Sequence, residues 1–205
     1  MLNDDDAGER AAKPMGWAGL GLKTGLAGMG RGKVSVYGER FDSRSGLMVA
    51  LPIYLGGQGF GWTLEPYMAL STTTGELRDT SGNVSGTREV SLRAYGIYTG
   101  PQVQIQVARP VYVGFGLGVK GAYLANDGFD YAIDLYARVP VSATYYVSDN
   151  LALVAEVGFG YGASIFADVP RIEVNPITGD VQNAQSDPTI GTAFTWDASF
   201  GIRLP

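Results

Sequence analysis

The sequence predicts an all-β chain, a transmembrane antiparallel up-and-down β-barrel of eight strands. Three observations carry that class. Apolar residues recur with the two-residue period of a strand. The alternating segments run longer than the five or six residues usual in soluble sheets and reach the roughly 9 to 11 that a tilted strand needs to cross a bilayer. The connections between them alternate between long and short.

The stretch 111–166 shows the period most fully. Val111, Val113, Phe115, Leu117, Val119 and Tyr123 share one face, opposite Tyr112, Gly114, Gly116, Gly118, Lys120 and Ala122. After Asn126-Asp127-Gly128 the pattern restarts with Tyr131, Ile133, Leu135, Ala137, Val139 and Val141 opposite Asp134, Tyr136, Arg138, Ser142 and Thr144. Ser148-Asp149-Asn150 has the composition of a tight turn. Beyond it Leu151, Leu153, Ala155, Val157, Phe159 and Tyr161 oppose Glu156, Gly158, Gly160, Gly162 and Ser164.

Five further segments complete the count. Residues 17–27 alternate Leu20, Leu22 and Leu26 against Gly19, Gly21, Lys23 and Gly25. Leu47, Val49, Leu51, Ile53 and Leu55 mark a second strand, and Trp62, Leu64, Met68 and Leu70 a third. The fourth, 91–107, carries Tyr95, Ile97, Val103, Ile105 and Val107 in one phase. A competing phase through Val90, Leu92 and Ala94 would need a bulge near Gly100-Pro101. In the last strand Phe194, Trp196, Ala198, Phe200, Ile202 and Leu204 alternate with Thr195, Asp197, Ser199, Gly201 and Arg203. Prolines 52, 66, 101 and 140 fall inside these strands, where each removes a ladder donor, and bulges are expected there.

Between strands, 29–45, 72–89 and 168–190 are long and polar and are expected to be loops, whereas 56–59, 108–110 and 148–150 are short. An even strand number with short turns at one end and long loops at the other, apart from the short outer connection Asn126-Asp127-Gly128, is the pattern of bacterial outer-membrane barrels, whose periplasmic turns are short and extracellular loops long. Residues 1–15 are expected to form a flexible tail ahead of a barrel over 16–205. The acidic start Met1-Leu2-Asn3-Asp4-Asp5-Asp6 has no signal-peptide character, so export requires this to be the mature form.

Composition narrows the chemistry. The chain has 205 residues, 45% of them hydrophobic, and a mean hydropathy of +0.04; no apolar run approaches the eighteen residues of a spanning helix. Cysteine and histidine are both absent, which removes disulfides, thiolate nucleophiles and imidazole ligands together. A formal charge of −5 without basic clusters argues against a nucleic-acid partner. Asp168, Glu173, Asp180 and Asp187 lack calcium-ligand spacing, so no metal or cofactor is expected. The glycine runs GFGLG and GFGYG do not lie between a strand and a helix, so they do not signal a phosphate loop.

An eight-stranded barrel has an interior just wide enough for side chains to fill. The inward phase carries Lys23, Glu65, Lys120, Asp134, Arg138, Glu156, Asp197 and Arg203, four of each sign. Buried charges need partners, so these eight are expected to pair as a lumen network, either as a structural closure or as the gate of a narrow pore. The inward glycines leave room for Tyr136, Arg138 and neighbouring long side chains. On the outward face Trp62, Tyr145 and Phe200 are expected near the short-turn rim. Tyr123, Tyr131, Tyr161, Phe194 and Trp196 are expected near the long-loop rim, as two interfacial girdles.

These patterns, with segments such as YYVSDNLALVAEVGFGYG and FTWDASFGIRLP, resemble the small eight-stranded outer-membrane barrels, the group of outer membrane protein A's barrel domain and outer membrane protein X. Such barrels usually end the last strand on an aromatic residue, whereas this sequence reads Leu204-Pro205. The resemblance implies an outer-membrane address and contact with lipopolysaccharide. The enzymes of the group, its lipid A deacylases, palmitoyltransferases, phospholipases and omptin-type proteases, rely on a catalytic histidine that this chain does not have. A carboxylate-only hydrolase using Asp134 and Glu156 is the remaining catalytic option. The leading expectation is an anchor or adhesion-type protein that meets envelope or surface partners through 29–45, 72–89 and 168–190. A narrow gated channel or small-solute transporter is the alternative, and a soluble lipocalin-like barrel a third.

Overall fold

The computed structural model describes residues 19–30, 34–36, 39–41, 44–56, 59–78, 84–125, 131–167, 170–174, 181–185 and 189–204. Eight antiparallel strands form the wall: β1 (Gly19–Gly30), β2 (Arg44–Ala50 and Ile53–Gly56), β3 (Phe60–Arg78), β4 (Val84–Ala108), β5 (Val111–Gly116 and Gly118–Ala125), β6 (Tyr131–Ser148), β7 (Leu151–Ala167) and β8 (Thr189–Leu204). Each pairs with its sequence neighbours, and β1 pairs with β8 from Leu20↔Leu204 to Gly30↔Phe194, which closes the sheet. Closure leaves no edge strand within the wall, the condition for a sheet to lie in hydrocarbon.

The two faces separate as the alternation requires. Leu22, Leu26, Val49, Met68, Ile97, Val119, Leu135, Val139, Val157 and Phe200 are exposed on the outside. Lys23, Thr63, Glu65, Gln102, Asp134, Arg138, Ser142, Glu156, Asp197 and Arg203 are buried inside. A soluble protein does the reverse, so the inversion identifies lipid as the outer solvent. On β4, Tyr95, Ile97, Val103, Ile105 and Val107 are outward and Leu92 is buried. The first of the two phases therefore holds along the whole strand, with no bulge at Gly100-Pro101.

The prolines depart from expectation in an instructive way. Register runs without a shift through Pro66↔Ile97, Trp62↔Pro101 and Pro140↔Gly158, so none of the three sits at a bulge. The shifts occur instead at Leu77/Arg78, Gln106/Ala108 and Tyr146/Ser148. The strand across from the prolines is interrupted: β2 breaks at Leu51 and Pro52, opposite Pro66, and β5 breaks at Leu117, between Pro101 and Pro140. At the breaks the backbone still bonds. Leu51 N–H donates to Pro66 O at 2.9 Å, Gly21 N–H to Pro52 O at 2.8 Å and Leu117 N–H to Pro101 O at 3.2 Å. A missing donor is thus accommodated by a gap in the partner strand rather than by an extra residue in the proline's own strand.

The segments expected to be loops contain more pairing than their composition suggested. β1 continues to Gly30, β3 to Arg78, and β4 starts at Val84, so most of 72–89 is a long hairpin above the rim. Short hairpins join Val34–Val36 with Glu39–Phe41 and Pro170–Val174 with Val181–Gln185. Beyond the bilayer both faces of a hairpin meet water, so backbone pairing persists with no hydrophobic alternation to reveal it. The tail 1–15, the Asn126-Asp127-Gly128 turn, Asp168, Asp180, Asp187 and Pro205 lie outside the described residues.

Two outcomes follow from this architecture. The folded protein is expected to migrate faster than its boiled form in SDS gels; identical migration would contradict a closed membrane barrel. Val139→Arg, placing a charge on the lipid face midway along β6, should destabilise the barrel by about 2–4 kcal/mol, measured as a lowered denaturant midpoint in lipid vesicles.

Candidate functional site: a charged plug across the lumen

The inward phase delivers charge from strands all around the wall to the middle of the lumen. Lys23 on β1 is fully buried, and its Nζ lies 2.5 Å from Glu65 Oε2 on β3 and 2.9 Å from Glu156 Oε1 on β7. Glu156 accepts a second bond from Arg138 Nη2 on β6 at 2.8 Å. Arg138 also grips Asp197 on β8 with two donors, Nε to Oδ2 at 2.9 Å and Nη2 to Oδ1. Lys120 on β5 completes the chain, with Nζ 3.2 Å from Asp197 Oδ2. Three cations and three carboxylates therefore form one connected network across the barrel. Its charge sums to zero, which is what a low-dielectric interior requires of ions that have left water.

Aromatic rings support the cations. Tyr98 on β4 lies under Arg138 at 4.7 Å from ring centroid to Cζ, and Lys120 sits 4.4 Å from the Tyr67 centroid. These rings add attraction from their π faces while filling lumen volume that carboxylates alone would leave wet. Glycine makes the crossing possible. A Cβ at Gly158 would come within 2.5–2.7 Å of the Arg138 guanidinium, and one at Gly118 within 2.7 Å of the Tyr98 ring.

The remaining two of the eight charged positions have described contacts nearer the two ends of the barrel. Arg203 stacks over the Tyr54 ring at 4.3 Å, toward the short-turn end. Asp134 lies toward the long-loop end, where Ser164 Oγ donates to its Oδ1 at 2.6 Å and the Tyr136 hydroxyl bonds Ser164 at 3.0 Å. Between Asp134 and the plug is a cavity of about 60 Å³, lined by Ala27, Ala69, Ala94, Tyr67, Lys120 and Tyr136. Below the plug, Thr63 donates to Gln102 at 2.9 Å and Gln102 to Ser142 at 3.1 Å, a second tier of bonds spanning β3, β4 and β6. Among the described residues no group of three acidic, histidine or cysteine side chains is placed to hold a metal.

Tyr67 and Tyr98 are the plug residues that a reading by charge passes over. Their inward parity, on the same face as Glu65 or a run of glycines, is the one signal the sequence holds for them. On the outer face Trp62, Tyr123, Tyr145, Tyr161, Phe194 and Phe200 are about half-exposed, and Trp196 somewhat less. Tyr95 pairs with Tyr123, and Tyr161 with Phe194, at the long-loop end, while Trp62 and Tyr145 lie near the short turns. Phe200 sits well inside β8, between Thr24 and Ala155. Tyr131 begins β6.

Closure in eight strands, an apolar exterior and a polar, ion-paired interior define an eight-stranded transmembrane β-barrel of the outer-membrane type. Several solved structures are similar to this chain. The outer membrane protein OprG from Pseudomonas aeruginosa matches with a TM-score of 0.56 at 9% identity, over 93% of this chain and 96% of that one. Neisserial surface protein A matches at 0.46 and 13%, over 90% and 96%. Ail, the attachment invasion locus protein of Yersinia pestis, matches at 0.42 and 12%, over 91% and 99%. No protein-family model matches the chain, and no curated protein sequence does.

Removing Arg138 would leave Glu156 and Asp197 buried with too little compensating charge. Arg138→Ala is expected to cost about 3–5 kcal/mol of barrel stability, whereas Lys120→Ala, which touches one carboxylate, should cost less. Unfolding of both variants in vesicles measures the difference, and equal costs would contradict a central role for Arg138.

Proposed function

We propose that this chain is a bacterial outer-membrane protein that acts without catalysis, as a sealed membrane anchor presenting its long hairpins to surface or envelope partners. The observation that carries the reading is the plug. Ions from β1, β3, β5, β6, β7 and β8 meet at one level and are joined by direct contacts. Tyr98, from β4, packs against the same level. A solute crossing the barrel would have to separate at least one of these buried pairs, which is costly when the partner is left behind.

The long-loop end supports the second half of the reading. β3 and β4 project beyond their neighbours as a hairpin closed only by residues 79–83, and further short hairpins stand on the same side. A rigid wall carrying ribbons into solvent is an arrangement suited to contact through loops rather than to passage. Short turns would face the periplasm and hairpins the exterior. Ion pairs can also exchange partners, and the cavity above the plug favours a gated narrow channel as the second reading.

Planar-bilayer recording separates the two. The wild-type barrel is expected to be silent, with Arg138→Ala or Glu156→Ala opening leak currents. Stable wild-type conductance that these substitutions alter would replace the anchor with a channel.

A further inference from the structure

The cavity above the plug has two chemically different walls. Ala27 on β1, with Ala69 and Ala94, ladder partners on β3 and β4, lines one part of its volume of about 60 Å³ with methyl groups. These alanines pack against the larger buried side chains Met48 and Tyr67, so the space exists because positions 27, 69 and 94 carry a single methyl each. Asp134 and Tyr136 on β6 line the other part.

The hydrogen bonds at the Asp134 end run in one direction. Ser164 gives its only hydroxyl proton to Asp134 Oδ1 at 2.6 Å, so the 3.0 Å bond between Ser164 and Tyr136 is donated by Tyr136. The carboxylate and the phenol oxygen therefore both serve this wall as acceptors. Lys120, the cation on the same lining, is directed elsewhere: its Nζ meets Asp197 at 3.2 Å and lies 4.4 Å from the Tyr67 centroid. A guest that carries positive charge and donates hydrogen bonds complements such a wall.

The rest of the surface sets the size and carbon content of that guest. Space on the order of four waters admits a short chain, and the alanine methyls favour carbon over solvent. An inorganic cation would leave those methyls uncovered, and among the described residues no group of three acidic, histidine or cysteine side chains is placed to hold a metal. We propose that the cavity is a binding site for a short-chain primary ammonium, its nitrogen on Asp134 and Tyr136 and its carbons against Ala27, Ala69 and Ala94. This inference rests on the sealed reading above, in which the plug is the floor of the cavity.

The test follows the alanine methyl NMR signals of the folded, detergent-solubilised full chain during titration at neutral pH with propylammonium, 1-propanol, propionate or potassium ions. Propylammonium is expected to shift the Ala27, Ala69 and Ala94 methyls along a saturating curve. Asp134→Asn is expected to weaken it roughly tenfold or more, the loss of one charge-assisted bond. Ala69→Leu fills the cavity from the methyl wall without touching the Asp134 chain of bonds and is expected to abolish the Ala27 and Ala94 shifts. Wild type without saturable shifts overturns the site, and so does persistence of those shifts in Ala69→Leu. Undiminished binding by Asp134→Asn, in protein whose gel migration still changes on boiling, overturns it as well. Equal binding of propanol, propionate or potassium overturns a primary ammonium as the guest. A wild type that conducts in planar bilayers yet binds propylammonium would defeat the sealed reading and keep this site.

Discussion

Everything in this molecule depends on the inability of hydrocarbon to hydrogen-bond a peptide group. Each N–H and C=O in the spanning region must find a partner inside the protein, and for strands that means a sheet without edges. The β1–β8 ladder supplies the closing row. Closure at eight strands then sets a narrow interior, and the narrow interior sets the rest. Long inward side chains from opposite walls must meet, so they can meet productively only if sizes and charges match.

The plug answers both demands. Arg138 reaches two carboxylates because Gly158, diagonal to it on β7, has no side chain to stand in the way. Lys23 and Lys120 flank it, each held by carboxylates, so no ion in the connected network lacks a counter-charge. Such a network contributes modest net stability relative to an apolar core, since desolvation offsets much of the Coulomb gain. Its larger effect is on specificity. A shift of register by one residue would turn these charges into the lipid and the leucines into the lumen, an outcome far worse than either arrangement alone.

The prolines show how a closed sheet tolerates a missing donor. In an open sheet proline retreats to an edge. Here there is none, and the neighbouring strand interrupts itself at Leu51-Pro52 and at Leu117. Pro52 and Pro140 turn inward at these places, and a Cβ at the facing Gly21 or Gly116 would approach their rings at 2.9 and 2.8 Å. Small residues therefore accompany the prolines for a packing reason that no single-strand pattern contains.

By itself the sequence determined the all-β class, the antiparallel barrel of eight strands, and an apolar face along every span but the fourth, whose phase it left open. All of these follow from a period of two, and that period is local. The long hairpin over 72–89 escaped the pattern because above the bilayer both faces meet the same solvent. What only the tertiary structure decided is who meets whom. Arg138 and Asp197 lie 59 positions apart, and Lys23 and Glu156 lie 133 apart. Their meeting depends on strand stagger and barrel radius, which belong to the closed sheet as a whole. The same holds for the tyrosines beneath the cations, Tyr67, Tyr98 and Tyr54. Periodicity assigns a side, but height and partner follow from closure.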